Sequence, residues 1–197
     1  DNTNRNIGSQ SKDIGGSVMS NARNLSSLLG TGATVPSAKM PTGAVLQVKT
    51  ATKTASQSNA SQNSFSDITD LSQSITPSST SSKILILCNI SLSSGADATG
   101  RSFRFIRGST HIGGGSEGSR KSVNFFGSPM SGDNNMSGTT SMHYLDSPST
   151  TSATTYKVQM TGYNSGVTTY INTNISRNGQ IYDDIATSQL TLIEVQG

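Results

Sequence analysis

The sequence predicts an all-β protein, an antiparallel β-sandwich of short strands that runs from about residue 43 to residue 197. Apolar and polar residues alternate in successive runs, and turn-rich segments separate these runs at about the spacing of a sandwich or barrel. No convincing amphipathic helix follows residue 30. Helix-rich and βαβ architectures are therefore not expected.

The run "KILILCNISLS" is the strongest predicted strand, and we place it at the centre of the sheet. One face of this strand carries Ile84, Ile86, Cys88, Ile90 and Leu92. Because Leu85 and Leu87 face the other way, the first half of the strand is expected to be buried on both faces. A second sheet, a covering loop or a neighbouring subunit has to cover them, and we take both leucines as candidate subunit-interface residues.

The other strands are predicted from weaker alternation. "SFSDITDLSQSIT" contains a break at Asp70, and "RSFRFIRG" places Phe103 and Phe105 inward and Arg104 outward. Further strands are expected in "AVLQVKT", "TTYKVQMTGY", "VTTYINTNI" and "SQLTLIEVQ", with shorter candidates in "KSVNFFG" and "SMHYL".

Residues 1–42 form a separate segment, an N-terminal arm and linker. The arm is polar and rich in glycine up to residue 17, and Pro36 and Pro41 indicate an extended linker at its end. Between them, one apolar stripe predicts a short helix that docks on a partner. The stripe consists of Val18, Ala22, Leu25 and Leu29.

Composition argues against several functions. The net charge of +3 comes from scattered lysines and arginines, so nucleic-acid binding is not expected. The only cysteine, Cys88, lies in an apolar run and is interpreted as a small buried residue. No run approaches the length of a membrane span, and no signal peptide is visible, so membrane insertion is not expected.

The sequence gives no reason to expect a catalytic or metal site, and no cofactor is predicted. The histidines are His111, in a glycine-rich segment that predicts a flexible loop, and His143. His143 and Asp146 are three residues apart, which places them on opposite faces of a strand. Asp133, Asp183 and Asp184 are further carboxylates without a metal-binding pattern, so no metal site is assigned. "HYLDSPSTTSATTYKVQ", residues 143–159, is interpreted as a corner between strands, with Asp146 and Pro148 as turn residues.

Four segments carry a resemblance to a known family: "GAVLQVKTATKT", "SFSDITDLSQSITPSSTSSKILIL", "YLDSPSTTSATTYKVQ" and "TSQLTLIEV". Over residues 42–197 the chain resembles small virion proteins of bacteriophages, mostly of marine bacteria and cyanobacteria, described as tail-fibre or appendage proteins. The resemblance implies a jelly-roll knob of the kind found in tumour-necrosis-factor-like and C1q-like trimers. It implies no catalytic motif.

Three functions remain open at this point. The first is a trimeric knob on a virion that is attached through residues 1–42 and contacts a glycan or protein of the host surface. The second is a capsid decoration or cement protein, or a tail connector, without receptor binding. The third is an enzyme that acts on surface glycans, which would need paired carboxylates across a groove. The enzyme ranks last because Asp183 and Asp184 would face opposite ways on a strand.

Overall fold

A computed structural model describes residues 35–61, 64–94, 101–127, 137–162, 168–173 and 185–197. The contacts divide the chain after Met40, and Pro41–Gly197 is one compact unit. Within the preceding segment, a single turn of 3-10 helix spans Ser37–Lys39, so the predicted linker is not extended throughout. The predicted arm helix lies outside the described residues.

The compact unit contains eleven described strands. They are β1 (Val45–Lys53), β2 (Gln57–Asn59), β3 (Ser66–Ile75), β4 (Lys83–Ser94), β5 (Arg101–Arg107), β6 (Thr110–Ile112), β7 (Phe125–Gly127), β8 (Ser137–Asp146), β9 (Thr154–Gly162), β10 (Thr169–Ile171) and β11 (Ser188–Val195). The prediction of an all-β protein is confirmed.

The strands form two antiparallel sheets, which we call the front and back sheets. The front sheet has the order β1-β11-β4-β8, and β10 and β2 continue it beside the second half of β4. The back sheet has the order β3-β9-β5, and β6 and β7 both pair with the free side of β5. Successive strands from β3 to β5 and from β7 to β10 alternate between the sheets, which is the connectivity of a jelly roll.

The central position predicted for the "KILILCNISLS" strand is confirmed. β4 is the longest strand and pairs with β8 on one side and with β11 and β10 on the other. The inward residues of both sheets form one core, in which Phe103, Phe105, Tyr156, Val158 and Met160 of the back sheet are fully buried. As predicted, Arg104 faces outward between the two phenylalanines.

A bulge in β3 explains why its apolar residues do not alternate. The pairing of β3 with β9 shifts register between Asp67 and Ser72, and Asp70 has a φ of 67°. Five steps along β3 here oppose two steps along β9, so β3 carries three extra residues. This odd number brings both Ile68 and Leu71 to the core face although they are three residues apart. The break predicted at Asp70 is therefore a bulge inside one continuous strand.

Buried polar side chains form hydrogen bonds between the loops that connect the strands and the sheets. The Glu194 carboxylate, on the inward side of β11, accepts hydrogen bonds from Gln47 Nε2 at 2.5 Å, from the backbone N–H and Oγ of Ser78 at 2.7 Å, and from Ser82 Oγ at 2.7 Å. Asn172 Nδ2 donates to the Lys53 carbonyl at 2.8 Å. These contacts hold the β3–β4 connection and the end of β1 against the front sheet.

Two local predictions are wrong. His111 does not lie in a flexible loop: it belongs to β6, which pairs with β5. The strand predicted in "SMHYL" begins earlier, at Ser137, because β4 continues to Ser93 and offers "SGTT" a partner along its whole length. Serine, glycine and threonine give no apolar alternation, so the pairing strand rather than the local sequence defines this part of β8.

Candidate functional site

The outward face of the front sheet carries a row of apolar side chains across four strands. The strand registers place Val48 of β1 beside Ile193 of β11, Ile193 beside Leu85 of β4, and Leu85 beside Leu145 of β8. Val48 is 54% exposed and Leu145 is 53% exposed, while Ile193 and Leu85 are half-buried. We call these four residues the apolar row. Side chains of directly paired residues in adjacent strands lie in contact range, so the row is one continuous surface.

The apolar surface continues on both sides of this row. On one side Val45, which is exposed, pairs with Val195 of β11. On the other side Leu87 of β4, 40% exposed, lies between Thr191 and His143. In the single chain, therefore, the candidate interface residues Leu85 and Leu87 lie on an outward face. Their cover by a neighbouring subunit stays a prediction.

The same face becomes polar one step further along the strands. Gln189 of β11, Asn89 of β4 and Ser141 of β8 lie side by side, and Ser141 Oγ donates to Asn89 Oδ1 at 3.1 Å. A depression of about 330 Å³ opens here. Its outward-facing side chains are Leu87, Asn89, Ser141, His143, Gln189 and Thr191. The outward face thus changes from aliphatic to amide and hydroxyl within four residues of β4.

The outward face of the back sheet has a different character. Asp67 accepts hydrogen bonds from Lys157 Nζ and Gln159 Nε2, both at 2.7 Å. Gln159 Oε1 accepts from Arg104 Nε at 2.9 Å, and the Arg104 guanidinium lies 3.8 Å from the centre of the Phe65 ring. These charged and polar groups are paired with each other, while Phe126 of β7 is exposed on the same sheet. Of the two outward faces, that of the front sheet therefore carries more of the exposed aliphatic side chains.

The histidine and aspartate of the 143–146 segment do not form a catalytic pair. As their spacing predicts, His143 is exposed on the outward face of β8, whereas Asp146 is buried on the inward face. Both Asp146 carboxylate oxygens accept from Arg107 Nη1 at 2.9 Å, and Oδ2 also accepts from Tyr156 Oη at 2.7 Å. Burial, together with the hydrogen bond to Asp146, raises the pKa of Tyr156.

Asp146 therefore links the two sheets through its side chain and is not the turn residue that the sequence predicts. Arg107 and Tyr156 belong to β5 and β9 of the back sheet, and Asp146 ends β8 of the front sheet. The prediction that 143–159 forms a corner between strands is confirmed, because β8 ends at Asp146 and β9 begins at Thr154.

His111 and Cys88, the other residues considered for catalysis, have structural contacts. His111 Nε2 lies 3.1 Å from Asn124 Oδ1, and Asn124 also accepts from the backbone N–H of Phe105 at 2.8 Å. Cys88 is buried in the core, and burial raises the pKa of its thiol to about 12. The thiol is protonated at neutral pH and is not a nucleophile there.

Within the described ranges, no group of three or more metal-ligating side chains comes together. Asp133, Asp183 and Asp184 lie outside those ranges, as do the arm residues Val18, Ala22, Leu25 and Leu29. The described part of the chain also contains no helix of the length and apolar character needed to cross a membrane.

Sequence reasoning found Leu85 and Leu87 but missed Val48, Ile193 and Leu145. Each of the three is the outward residue of a strand that was predicted or partly predicted. The signal was present in "AVLQVKT" and "TLIEV", where consecutive apolar residues occupy both faces of the strand. Their alignment into one row depends on the pairing registers, which the sequence does not supply.

No protein-family model matches this chain, and the search of curated proteins found no match. Among solved structures, the chain is similar to one titled "Structure of infectious bursal disease virus Gx strain". The identity is 12%, the TM-score is 0.33, and the match covers 78% of this chain and 39% of that chain. A TM-score of this size is too low to define a shared fold, so the jelly-roll description depends on the strand pairing itself.

Proposed function

We propose that this chain is a structural virion protein of a bacteriophage. It is a homotrimeric fibre or knob subunit that is appended to the particle through residues 1–42 and contacts the host surface. The proposal is supported by the jelly-roll connectivity of Pro41–Gly197 and by the sequence resemblance over residues 42–197. The single observation that carries the subunit role is the apolar row of the front sheet.

The row has the properties of a surface that is covered by another copy. Its four side chains form a continuous aliphatic strip on a sheet face, and such strips on soluble proteins mark interaction sites. No Asp, Glu, Lys or Arg is among the outward residues of these strands from Val48 to Thr52, Leu85 to Asn89, Ser141 to Leu145 and Gln189 to Ile193. Two copies can therefore meet without like-charge repulsion and without burying an ion.

Lys83 lies at the margin of this surface, where its Nζ donates to Ser147 Oγ at 2.9 Å. A charge at the rim of an interface stays hydrated and limits association to the neutral area beside it. The three-fold arrangement comes from the family resemblance. A closed ring of three copies covers the row in each of them, whereas an open arrangement leaves one row exposed.

The proposed assembly is tested by sedimentation of the full-length chain at micromolar concentration. The wild type is expected as a trimer. The double variant Leu85→Asp/Leu145→Asp is expected as a folded monomer, because an aspartate in the middle of a dry interface loses its hydration without gaining a partner. Phe126→Asp is the control, since Phe126 is exposed on β7 of the back sheet, away from the row.

A monomeric wild type, or a trimer that survives the double substitution, would contradict the proposed interface. A stable dimer would keep the interface and overturn the three-fold arrangement. The alternative role, a decoration or cement protein or a tail connector without receptor binding, predicts the same assembly. This alternative role predicts that the protein is incorporated normally into particles and does not bind host cells.

A further inference from the structure

The depression beside the apolar row has the chemistry of a ligand site. Three strands contribute two outward residues each: Thr191 and Gln189 from β11, Leu87 and Asn89 from β4, and His143 and Ser141 from β8. Because strand pairing fixes all six positions, the array is part of the rigid sheet and does not depend on a loop. We propose that this depression binds a neutral saccharide. The assignment of that saccharide to the host surface rests on the proposed function.

The polar groups match the hydroxyls of a sugar. Asn89 and Gln189 each carry an amide, Ser141 and Thr191 carry hydroxyls, and His143 carries a ring nitrogen. Gln189 Nε2 also donates to Thr52 Oγ1 at 3.4 Å, and the Thr191 and Thr50 hydroxyls lie 3.4 Å apart, so these groups keep only part of their capacity for a ligand. Asn89 Oδ1 already accepts from Ser141 Oγ, and the Asn89 amide N–H groups remain available to a ligand. Among the described residues, the ring of His143 has no hydrogen-bond partner, although its backbone pairs with Leu87, so the ring can pair with a hydroxyl.

The absence of formal charge selects the class of saccharide. None of the six lining residues is Asp, Glu, Lys or Arg. Recognition of a carboxylate, sulfate or phosphate normally uses arginine or lysine, because a buried anion needs a charged or strongly donating partner. A sialylated or sulfated glycan would therefore lose hydration without gaining a cation. Leu87, 40% exposed at the border of the apolar row, is assigned in this proposal to the saccharide and not to the subunit contact, and it supplies the aliphatic contact for the C–H face of a sugar ring.

The depression and the subunit contact can operate on the same sheet. Leu85 of the apolar row and Asn89 of the depression are four residues apart on β4, which is about 13 Å at about 3.3 Å per residue. A copy that packs on the apolar row leaves the depression open if it extends from the row toward Val45 and Val195, away from Asn89 and Gln189. Each trimer would present three depressions, and simultaneous binding would raise the avidity for a surface polysaccharide.

The experiment uses the full-length protein on a printed array of neutral hexose and N-acetylhexosamine oligosaccharides, with sialylated and sulfated relatives on the same array. We expect binding to at least one neutral structure and no gain from added negative charge. Asn89→Ala and Gln189→Ala are each expected to lower the affinity about tenfold, the effect of losing one hydrogen bond to the ligand. Gln159→Ala is the matched control, an amide on the outward face of the back sheet, and is expected to bind like the wild type.

Binding only to the charged glycans, binding to none, or equal binding by Asn89→Ala and wild type would overturn the saccharide site. Sedimentation of the same variants separates this result from the proposed assembly. If Asn89→Ala dissociates the trimer, the depression belongs to the subunit contact, and the saccharide proposal fails while the assembly stands. If the wild type binds neutral sugars as a monomer, the assembly fails and the saccharide site stands.

Discussion

Glu194 shows how single residues hold this thin-cored sandwich together. Its side chain is fully buried, and the four hydrogen bonds that it accepts come from neutral donors on β1 and the β3–β4 connection. Burial by itself raises the pKa of this carboxyl, but the bonds from Gln47, Ser78 and Ser82 outweigh it, and the pKa lies below the ordinary value of 4.5. The ionised form is therefore the one that the fold stabilises.

This shift predicts a pH-dependent contribution to stability. A carboxyl with a lowered pKa in the folded state contributes stability above its unfolded pKa, and the contribution is lost as the pH falls through the folded value. At pH 7 we expect Glu194→Gln to lower the free energy of unfolding by about 1–3 kcal/mol, because its amide NH₂ would face the Gln47 amide NH₂. Gln47 cannot turn its amide without losing its bond to the Thr76 carbonyl at 2.8 Å.

Urea unfolding of both proteins between pH 7 and pH 3 measures this effect. The difference in unfolding free energy is expected to be constant above about pH 5 and to shrink below pH 4.5 as the wild-type carboxyl takes up its proton. Asp67, whose pKa is also lowered, is present in both proteins and cancels in the difference. If the difference in unfolding free energy stays the same down to pH 3, the fold does not stabilise the ionised form of Glu194.

At the scale of elements, the bulge in β3 can be tested through Asp70. A φ of 67° is unfavourable for side chains branched at Cβ and is tolerated by aspartate and asparagine. Lys53, which lies 3.7 Å from Asp70 Oδ2, loses this partner in any neutral variant. Asp70→Asn is therefore the matched control for Asp70→Val. We expect the valine variant to be less stable than the asparagine variant by about 1–2 kcal/mol, the strain of a left-handed backbone.

Thermal or urea unfolding of the two variants gives this difference directly. Equal stability would show that residue 70 does not need the left-handed conformation and that β3 runs without a bulge. A secondary readout is the amide exchange of Ile68 and Leu71, which both point into the core only while the bulge is present.

The strands that could be predicted are those whose apolar residues alternate by themselves. β4 and β9 were found because their core residues follow the period of two over five and three positions, and β5 because its phenylalanines flank an outward arginine. β10 lies within the strand predicted in "VTTYINTNI", whereas β2 and β6 are three residues long and carry no such pattern, so only their partners identify them. The apolar row escaped prediction for the same reason: four strands have to be aligned before Val48 and Leu145 lie in one line.

At the scale of the whole molecule, the two ends of the front sheet carry different chemistry. The end near Val45 and Val195, where the chain enters the sheet from residue 44, is aliphatic with Lys83 at its margin, and the end near Asn89 and Gln189 is polar and uncharged. In the proposed assembly, the aliphatic end joins the copies and the polar depression faces a ligand.

The arm is expected to serve attachment and not folding. Pro41–Gly197 has its own core, and that core, as far as the chain is described, is built only from residues of the two sheets. Deletion of residues 1–40 should therefore give a soluble trimer with a melting temperature within a few degrees of the full chain, measured by calorimetry and sedimentation. The same protein should no longer be incorporated into particles, because the docking helix is predicted to be formed by the stripe of Val18, Ala22, Leu25 and Leu29.

A quadruple variant in which these four residues are replaced by serine separates the stripe from the rest of the arm. It keeps the length and the polar character of the segment, so its failure to incorporate would assign the contact to the apolar stripe itself. Each buried aliphatic side chain contributes about 1.5–3 kcal/mol, and three arms around one axis multiply the effect, so the loss should be close to complete. A truncated chain that aggregates or sediments as a monomer would show instead that the arm is part of the knob's own fold, with the stripe packed against the chain to which it belongs.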